Sequence, residues 1–220
     1  MPKRLTVALL RLCECEGNER QLIATHGALT PHGRSQAEAA RRRIAELKLD
    51  ARAWYAPDNS ACRQTAEIVS TNRSIGIANE FLEPPYPRWK GMTLAQAEAG
   101  WPDEWSRYFD PQPGDAERII APGGESFKAT YARAKSGLDR LRDDQAVDGV
   151  VVVVTHGEIT RLLTLGLLDA PLENLFRLRS QNGALTLFHY DGTAATFECI
   201  NDTSHLTESK DLTDYGAKQR

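Results

Sequence analysis

The chain has 220 residues, of which 41% are hydrophobic, so it can bury one sizeable core and does not require a second domain. Its formal net charge of -3 gives no bulk attraction to nucleic acid or to anionic membranes. No apolar run approaches the ~20 residues of a membrane span, and the run behind the basic N-terminus is too short for a signal peptide. We therefore expect a cytoplasmic protein that binds neither nucleic acid nor membranes.

The chain contains four cysteines, too few for a disulfide framework at this length, so reduced thiols are expected. Cys13, Cys15 and Cys62 could join His156 as soft zinc ligands. Their spacing, however, lacks the Cys-x-x-Cys signature of a structural zinc site. The sequence therefore predicts no metal site, and no cofactor is expected.

The predicted elements alternate between strands and helices. The apolar run at residues 5–10 is typical of a strand buried on both faces of a parallel sheet. Thr30 as N-cap and Pro31 at the first helical position predict a helix that runs to about Lys48. In chain order, the other expected elements are a strand at 53–56, helices at 60–69 and 126–142, a valine-rich strand at 149–155, a helix at 158–168, and strands at 183–190 and 196–200.

This alternation predicts a three-layer α/β fold with a mostly parallel central sheet and helices on both faces. Residues 81–124 are rich in proline, tryptophan and tyrosine, and are predicted to form a lid or cap over the sheet rather than a regular layer. One domain is expected over residues 1–206, followed by a polar tail at 207–220.

Short motifs follow one another in a fixed order over residues 5–206. They are Arg11-Leu12-Cys13-Glu14-Cys15-Glu16-Gly17-Asn18, Leu29-Thr30-x-x-Gly33-x-x-Gln36-Ala37, Gln64-Thr65-Ala66-Glu67-Ile68, Glu83 with Trp89-x-Gly91, Gly123-Gly124-Glu125-Ser126, Val154-Thr155-His156-Gly157, Asn182-Gly183 and Asn201-Asp202-Thr203-Ser204-His205-Leu206. Together they resemble the histidine phosphatase (phosphoglycerate mutase-like) superfamily, branch 1 type. The resemblance implies a phosphoglycerate mutase-like fold and a phosphate-handling pocket.

Phosphoryl transfer needs an in-line nucleophile, donors for the phosphoryl oxygens and an acid for the leaving oxygen. By resemblance, Arg11 is the first phosphate-clamping arginine, and His156 is the second histidine, which contacts the phosphoryl group. Glu83 matches the general acid, and Asn18, the asparagine of the opening motif, is expected to help bind the anion. A surface arginine, a structural histidine and a solvated loop carboxylate remain the plain alternatives.

Two positions depart from the family pattern. Leu12 stands where the nucleophilic histidine is expected, and leucine has no lone pair with which to accept a phosphoryl group. In an ungapped reading, Ala61 takes the place of the second clamping arginine, four residues before Thr65. Arg63 cannot simply replace it, because two helical steps turn it about 200° away. The resemblance therefore implies that the reaction with two histidines and two arginines is absent.

Cys13 is the candidate for a replacement nucleophile, because a thiolate is strongly nucleophilic when nearby cations lower its pKa. Arg11 and His156 could provide that positive environment. Adjacent side chains in an extended chain point in different directions, however, so Cys13 need not face the same way as Leu12. A small buried thiol remains the alternative.

Three functions stay open from the sequence. The first is a repurposed enzyme that acts on a small carboxylated or phosphorylated metabolite, with Glu83 and His156 as acid and base and Arg11 holding the anion. The second is an inactive pseudophosphatase that serves as a binding or regulatory protein. The third is a phosphomonoesterase or mutase that uses another nucleophile such as Cys13. A homodimer is also left open.

Overall fold

A computed structural model describes residues 4–71, 73–118, 123–144 and 149–206 of the protein. A six-stranded sheet forms its centre, in the spatial order β3-β2-β4-β1-β5-β6. The strands are β1 (Leu5–Arg11), β2 (Ala51–Ala56), β3 (Gly76–Ile77), β4 (Val150–Thr155), β5 (Leu185–Tyr190) and β6 (Ala195–Asp202). The predicted tail at 207–220 and residues 119–122 of the predicted cap lie outside the described residues.

The sheet is mostly parallel, as predicted. Strand β1 pairs in parallel with β4, and β2 pairs in parallel with both β4 and β3. Strand β5 runs antiparallel to β1 and to β6. The central pairing places Arg11 opposite Thr155, so both central strands end at the same edge of the sheet. The residues that follow, Leu12 and His156, emerge there side by side.

Seven α-helices surround the sheet in the described part of the chain. They are α1 (Glu16–Glu19), α2 (Pro31–Glu46), α3 (Ser60–Ser70), α4 (Leu94–Gly100), α5 (Pro102–Phe109), α6 (Phe127–Asp143) and α7 (Gly157–Leu167), with 3-10 turns at Asn79–Phe81, Asp115–Glu117 and Leu172–Arg177. None of these described helices is long and apolar enough to span a membrane. The short elements α1 and β3 were not predicted, because neither carries a hydrophobic repeat long enough to detect.

The valine run of β4 explains why the protein has helices on both faces. Successive side chains of a strand point to opposite faces, and Val151 to Val154 are all fully buried. Val152 and Val154 join a core with side chains of α2 and α3, whereas Val151 and Val153 join a core with side chains of α6 and α7. A strand buried on both faces is therefore the centre of a three-layer fold.

The segment from Leu82 to Arg118 forms a cap that is more regular than predicted. It contributes α4, α5 and a third apolar core, built around the tryptophans Trp89 and Trp105. That core packs on Leu162 and Leu165 of α7, on the side of the helix that does not face the sheet. The cap is therefore fixed by aromatic packing beside the end of β4.

The start of α2 holds the loop after β1 in place. Thr30 is the N-cap, as predicted, and its hydroxyl oxygen accepts from the Gly33 backbone N–H at 3.0 Å. The same hydroxyl donates to the Glu14 carboxylate at 2.6 Å. A Cβ on Gly33 would lie only 1.9 Å from the Glu14 carbonyl oxygen, so the helix and the loop require a glycine here.

Gly33→Ala is therefore expected to lower the free energy of unfolding by about 2–3 kcal/mol, measured by urea denaturation. The matched control is Gly100→Ala, since a Cβ there meets no atom of the described residues within 4 Å. That control should leave stability unchanged or raise it by up to about 1 kcal/mol. Equal stability of the two variants would contradict the contact between α2 and the Glu14 backbone.

Candidate functional site

A cavity of about 90 Å³ lies at the edge where β1 and β4 end, between the sheet and the cap. Arg11, Leu12 and His156 line it from the sheet, and Glu83 lines it from the cap. The volume is sufficient for several water molecules or for one small organic molecule. Concave sites at the carboxyl ends of parallel strands are where α/β proteins bind small ligands.

Arg11 and the start of α7 form the cationic floor of the cavity. The Arg11 side chain donates to the Ser180 carbonyl oxygen, which fixes the guanidinium at the end of β1. A Cβ on Gly157 would lie 3.1 Å from Arg11 Nε, so the glycine permits this close approach of the first residue of α7. Backbone N–H groups at a helix N-terminus favour anions, as does a guanidinium.

Leu12 is held beside this floor by its backbone. Its N–H donates to the Thr155 carbonyl oxygen at 2.8 Å, and its carbonyl oxygen accepts from Asn182 Nδ2 at 2.9 Å. The leucine side chain is 3% exposed and lines the cavity. The floor therefore presents an apolar group next to Arg11, with no lone pair that could attack phosphorus.

Glu83 is paired with His26, a residue that the sequence analysis did not select. His26 Nε2 lies 2.6 Å from Glu83 Oε1, and both side chains are 19% exposed. Burial lowers the pKa of His26, but the charge of the Glu83 carboxylate, together with hydrogen bonds to Cys15 and Glu83, more than reverses this and raises it to about 10. Burial raises the pKa of Glu83, but the charge and hydrogen bond of His26 and the charge of Arg11 bring it below its ordinary value. At neutral pH the pair is thus an imidazolium and a carboxylate.

His156 approaches the same carboxylate from its other side. Its Nδ1 lies 3.6 Å from Glu83 Oε2, and its ring centroid lies 4.8 Å from that of His26. Burial lowers the pKa of His156 to about 3; the Glu83 carboxylate opposes this shift, whereas the charges of His26 and Arg11 add to it. His156 is therefore neutral at physiological pH, in contrast to His26.

The first turn of α3 determines which nitrogen of His156 carries the proton. Asn59 Oδ1 accepts from the Cys62 backbone N–H at 2.9 Å, so the Asn59 amide group facing His156 is Nδ2, which only donates. It lies 3.0 Å from His156 Nε2, and the Cys62 thiol lies 3.6 Å from the same atom. Nε2 is then the acceptor, and Nδ1–H points toward Glu83.

Four predicted site residues come together in this cavity: Arg11, Asn18, Glu83 and His156 all line it. Asn18 contributes differently from a simple anion-binding group. Its Oδ1 accepts from the Cys15 backbone N–H and from Asn182 Nδ2, both at 3.2 Å. The Asn18 oxygen is thus turned toward the protein and supports the loop after β1.

Cys13 lies elsewhere. Its side chain is fully buried in the core formed with α2 and α3, and the described residues that line the cavity do not include it. Its backbone N–H donates to Thr65 Oγ1 at 3.1 Å. Burial raises the pKa of the Cys13 thiol to about 12, so the thiolate is scarce at neutral pH. This placement matches a small buried thiol and does not support a nucleophile.

One trio of described side chains has the composition of a metal site: His26, Glu83 and His156, with potential ligand atoms within 4.8 Å of one another. Metal binding through His156 Nδ1 would move its proton to Nε2. At Nε2 that proton would face the Asn59 amide group, which only donates, so this hydrogen bond would be lost. The surrounding hydrogen bonds therefore fit proton transfer better than metal ligation.

Comparison with known protein families shows to which family the chain belongs. A model of the histidine phosphatase superfamily (branch 1) matches residues 7–203. The chain belongs to this superfamily. Phosphoserine phosphatase 1 of Hydrogenobacter thermophilus is 22% identical over 182 residues, covering 82% of this chain and 83% of that protein. Phosphoglycerate mutase-like protein 4 of Arabidopsis thaliana is 24% identical over 208 residues, covering 92% and 87%.

Solved structures of histidine phosphatases share the same fold. Bacillus stearothermophilus YhfR superposes with a TM-score of 0.80 at 23% identity, covering 91% of this chain and 98% of that one. Phosphoserine phosphatase from Entamoeba histolytica in complex with 3-phosphoglyceric acid superposes with a TM-score of 0.77 at 21% identity, covering 92% and 99%. At these identities, the likeness establishes the phosphoglycerate mutase-like fold and no more.

His26 and His156 are expected to titrate in opposite ways. Imidazole nitrogen shifts, measured by NMR from acid to alkaline pH, should show His26 charged until pH approaches about 10 and His156 neutral down to about 3. In Glu83→Gln, the pKa of His26 should fall well below its wild-type value, because burial is then opposed only by Cys15. A wild-type His26 that loses its proton near 6.5 would refute the ion pair.

Proposed function

We propose that this histidine phosphatase superfamily member acts on a small anionic metabolite by acid/base chemistry and forms no phosphohistidine. The observation that carries the proposal is the Glu83–His26 pair, which lies in the same cavity as Arg11 and Leu12. In this proposal, Leu12 occupies the place of the family nucleophile and Ala61 that of the second clamping arginine. An apolar floor then replaces the atom that would bond to phosphorus.

The charges of the cavity support an anionic ligand. Arg11 contributes a guanidinium charge, and the His26 imidazolium offsets the Glu83 carboxylate beside it, so these three side chains leave a net positive charge in the cavity. His26 thereby supplies a cation in a cavity to which Ala61 contributes none, since Ala61 is fully buried in the core beside β4. A net positive charge in a small, partly desolvated site suits a carboxylate or a phosphate.

The acid and base roles follow from the protonation states. Glu83, ionised, is the proton acceptor, and His26, an imidazolium, is the proton donor. His156 is a positioning residue. Its Nδ1–H points toward Glu83, and its Nε2 accepts a hydrogen bond from the Asn59 amide. A carboxylate and an imidazolium beside a bound anion can support elimination, isomerisation, cyclisation or hydrolysis. The roles of acid and base differ from the sequence expectation, in which Glu83 and His156 shared them.

The names of relatives support the same substrate class. Phosphoserine and 3-phosphoglyceric acid are named for the relatives and solved structures described above. Both compounds are small and carry a phosphate and a carboxylate. A ligand of that charge matches the Arg11 floor of the cavity.

A binding protein without turnover is the second candidate function. It is favoured by the ion pair of Glu83 with His26 at 2.6 Å, because a carboxylate engaged within the protein is less available to a substrate. A partner protein whose affinity does not change in Glu83→Gln or Arg11→Met would establish this candidate. Affinity that falls in both variants would instead link binding to the cavity.

The decisive experiment for the proposed function compares Glu83→Gln with Glu80→Gln. Wild-type protein is incubated with a mixture of small phosphorylated and carboxylated metabolites, and consumption is followed by proton NMR. Glu83→Gln should slow any turnover by about 10²–10⁴-fold, because the proton acceptor is lost. Glu80 pairs with Arg140 at 2.7 Å outside the cavity, so Glu80→Gln should change the rate less than about twofold.

The cysteine variant completes the comparison. Cys13→Ser should leave turnover intact, since Cys13 lies in the core and not at the cavity. Turnover that persists in Glu83→Gln, or that disappears in Cys13→Ser while thermal stability is retained, would overturn the proposed chemistry. The same holds if no member of the mixture is consumed by the wild-type protein.

A further inference from the structure

A second titratable group, centred on Glu158, lines the cavity and takes no part in the chemistry proposed above. Glu158 is the second residue of α7, directly after Gly157, which contacts Arg11. It is 7% exposed, although ionised carboxylates are rarely buried without a paired charge. Tyr86 and Tyr108 from the cap line the cavity beside it.

Three oxygen atoms of these residues form a closed triangle. The Tyr86 and Tyr108 hydroxyls lie 2.8 Å apart. Both also contact Glu158 Oε2, Tyr108 at 2.9 Å and Tyr86 at closer range. Each edge of the triangle is therefore within hydrogen-bond distance.

Counting protons shows which form of Glu158 the triangle favours. Each edge needs one proton, and the two phenol groups supply only two. If the carboxyl were ionised, one edge would place two oxygen lone pairs against each other. A proton on Oε2 completes the ring, so Glu158 is the neutral carboxylic acid. Burial acts in the same sense and raises the pKa of Glu158 to about 8, with Arg161 opposing the shift.

The other carboxyl oxygen of Glu158, Oε1, can then act only as a hydrogen-bond acceptor. Oε1 is buried, and it has no hydrogen-bond partner among the described residues. In the neutral acid it is a carbonyl oxygen, which accepts hydrogen bonds and does not donate. Leaving a buried acceptor unpaired is unfavourable, so a ligand group that donates to it gains affinity. The nearby Arg161 charge disfavours an ammonium group at this place and leaves a hydroxyl as the suitable donor.

We propose that Glu158 recognises a hydroxyl group of the ligand, through a hydrogen bond to Oε1, while the anionic group of the same ligand lies on Arg11. Tyr86 and Tyr108 are positioning residues that hold the acid in its orientation. The inference rests on the proposed function, since it uses the same anion site. It narrows the substrate class to hydroxylated anionic metabolites and requires no turnover to be tested.

Two phosphate esters of equal charge and length test this assignment. Glycerol 3-phosphate carries two hydroxyl groups, and n-propyl phosphate carries none. Isothermal titration calorimetry of the wild-type protein should show glycerol 3-phosphate binding about three- to tenfold more tightly, the range expected for one net hydrogen bond. Equal affinities would overturn the inference, because Oε1 would then not distinguish the hydroxylated ester from the other and could be hydrogen-bonded to water.

Two substitutions locate the preference at Glu158. In Glu158→Gln the amide nitrogen can donate to both phenol oxygens while one phenol donates to the other and the remaining phenol proton turns out of the ring. The amide keeps its carbonyl oxygen for the ligand, so the preference should persist. Glu158→Leu removes that oxygen, and the two esters should bind equally. A preference that survives in a folded Glu158→Leu would overturn the inference. If the leucine variant does not fold, the wild-type comparison and Glu158→Gln still decide, since a preference lost in Glu158→Gln also contradicts the neutral acid.

The outcomes separate this inference from the proposed function. Both esters binding equally, together with turnover that depends on Glu83, would refute the role of Glu158 alone. A clear hydroxyl preference without any turnover loss in Glu83→Gln would refute the acid/base proposal alone. Failure of both esters to bind would overturn the Arg11 anion site, and both proposals with it.

Discussion

The parallel pairing of β1 with β4 is the constraint on which the rest of the site depends. It places Arg11 opposite Thr155, and therefore brings residues 12 and 156, far apart in the sequence, to one edge of the sheet. Because the buried side chains of β4 before Thr155 are all valine, its register is specified at the end of the strand, where Thr155 Oγ1 donates to the Phe81 carbonyl oxygen at 2.6 Å. The cation, the apolar floor and the neutral histidine are direct consequences of that pairing.

Electrostatics then assign a distinct state to each titratable group. His26 and His156 flank the Glu83 carboxylate, yet His26 is charged and His156 is neutral. His26 contacts Glu83 at 2.6 Å. His156 is more deeply buried and faces the Asn59 amide. Glu83 and Glu158 differ in the same manner, one held ionised by cations and the other kept neutral by burial and two phenols. Paired groups with divergent pKa values are typical of acid/base sites.

The sequence predicted the elements with strong periodicity or clear caps, such as β4, and α2 with its N-cap Thr30. Family motifs also identified Arg11, Glu83 and His156, which the fold brings to one cavity. His26 could not be found this way, because it lies in a polar loop without a local pattern, and only packing of the cap brings it to Glu83. The direction of Cys13 and the burial of Glu158 likewise depend on long-range packing that no short sequence window contains.

The central claim, that the cavity holds an anion without forming a covalent phosphoryl intermediate, has one direct test. The protein is incubated with p-nitrophenyl phosphate, quenched rapidly, and examined by intact-protein mass spectrometry. The account predicts no covalent phosphoryl group on the wild-type chain, with the Leu12→His, Ala61→Arg double variant as the positive control that gains one. A phosphorylated wild-type chain, whether on His156, on Cys13 or on another residue, would contradict it.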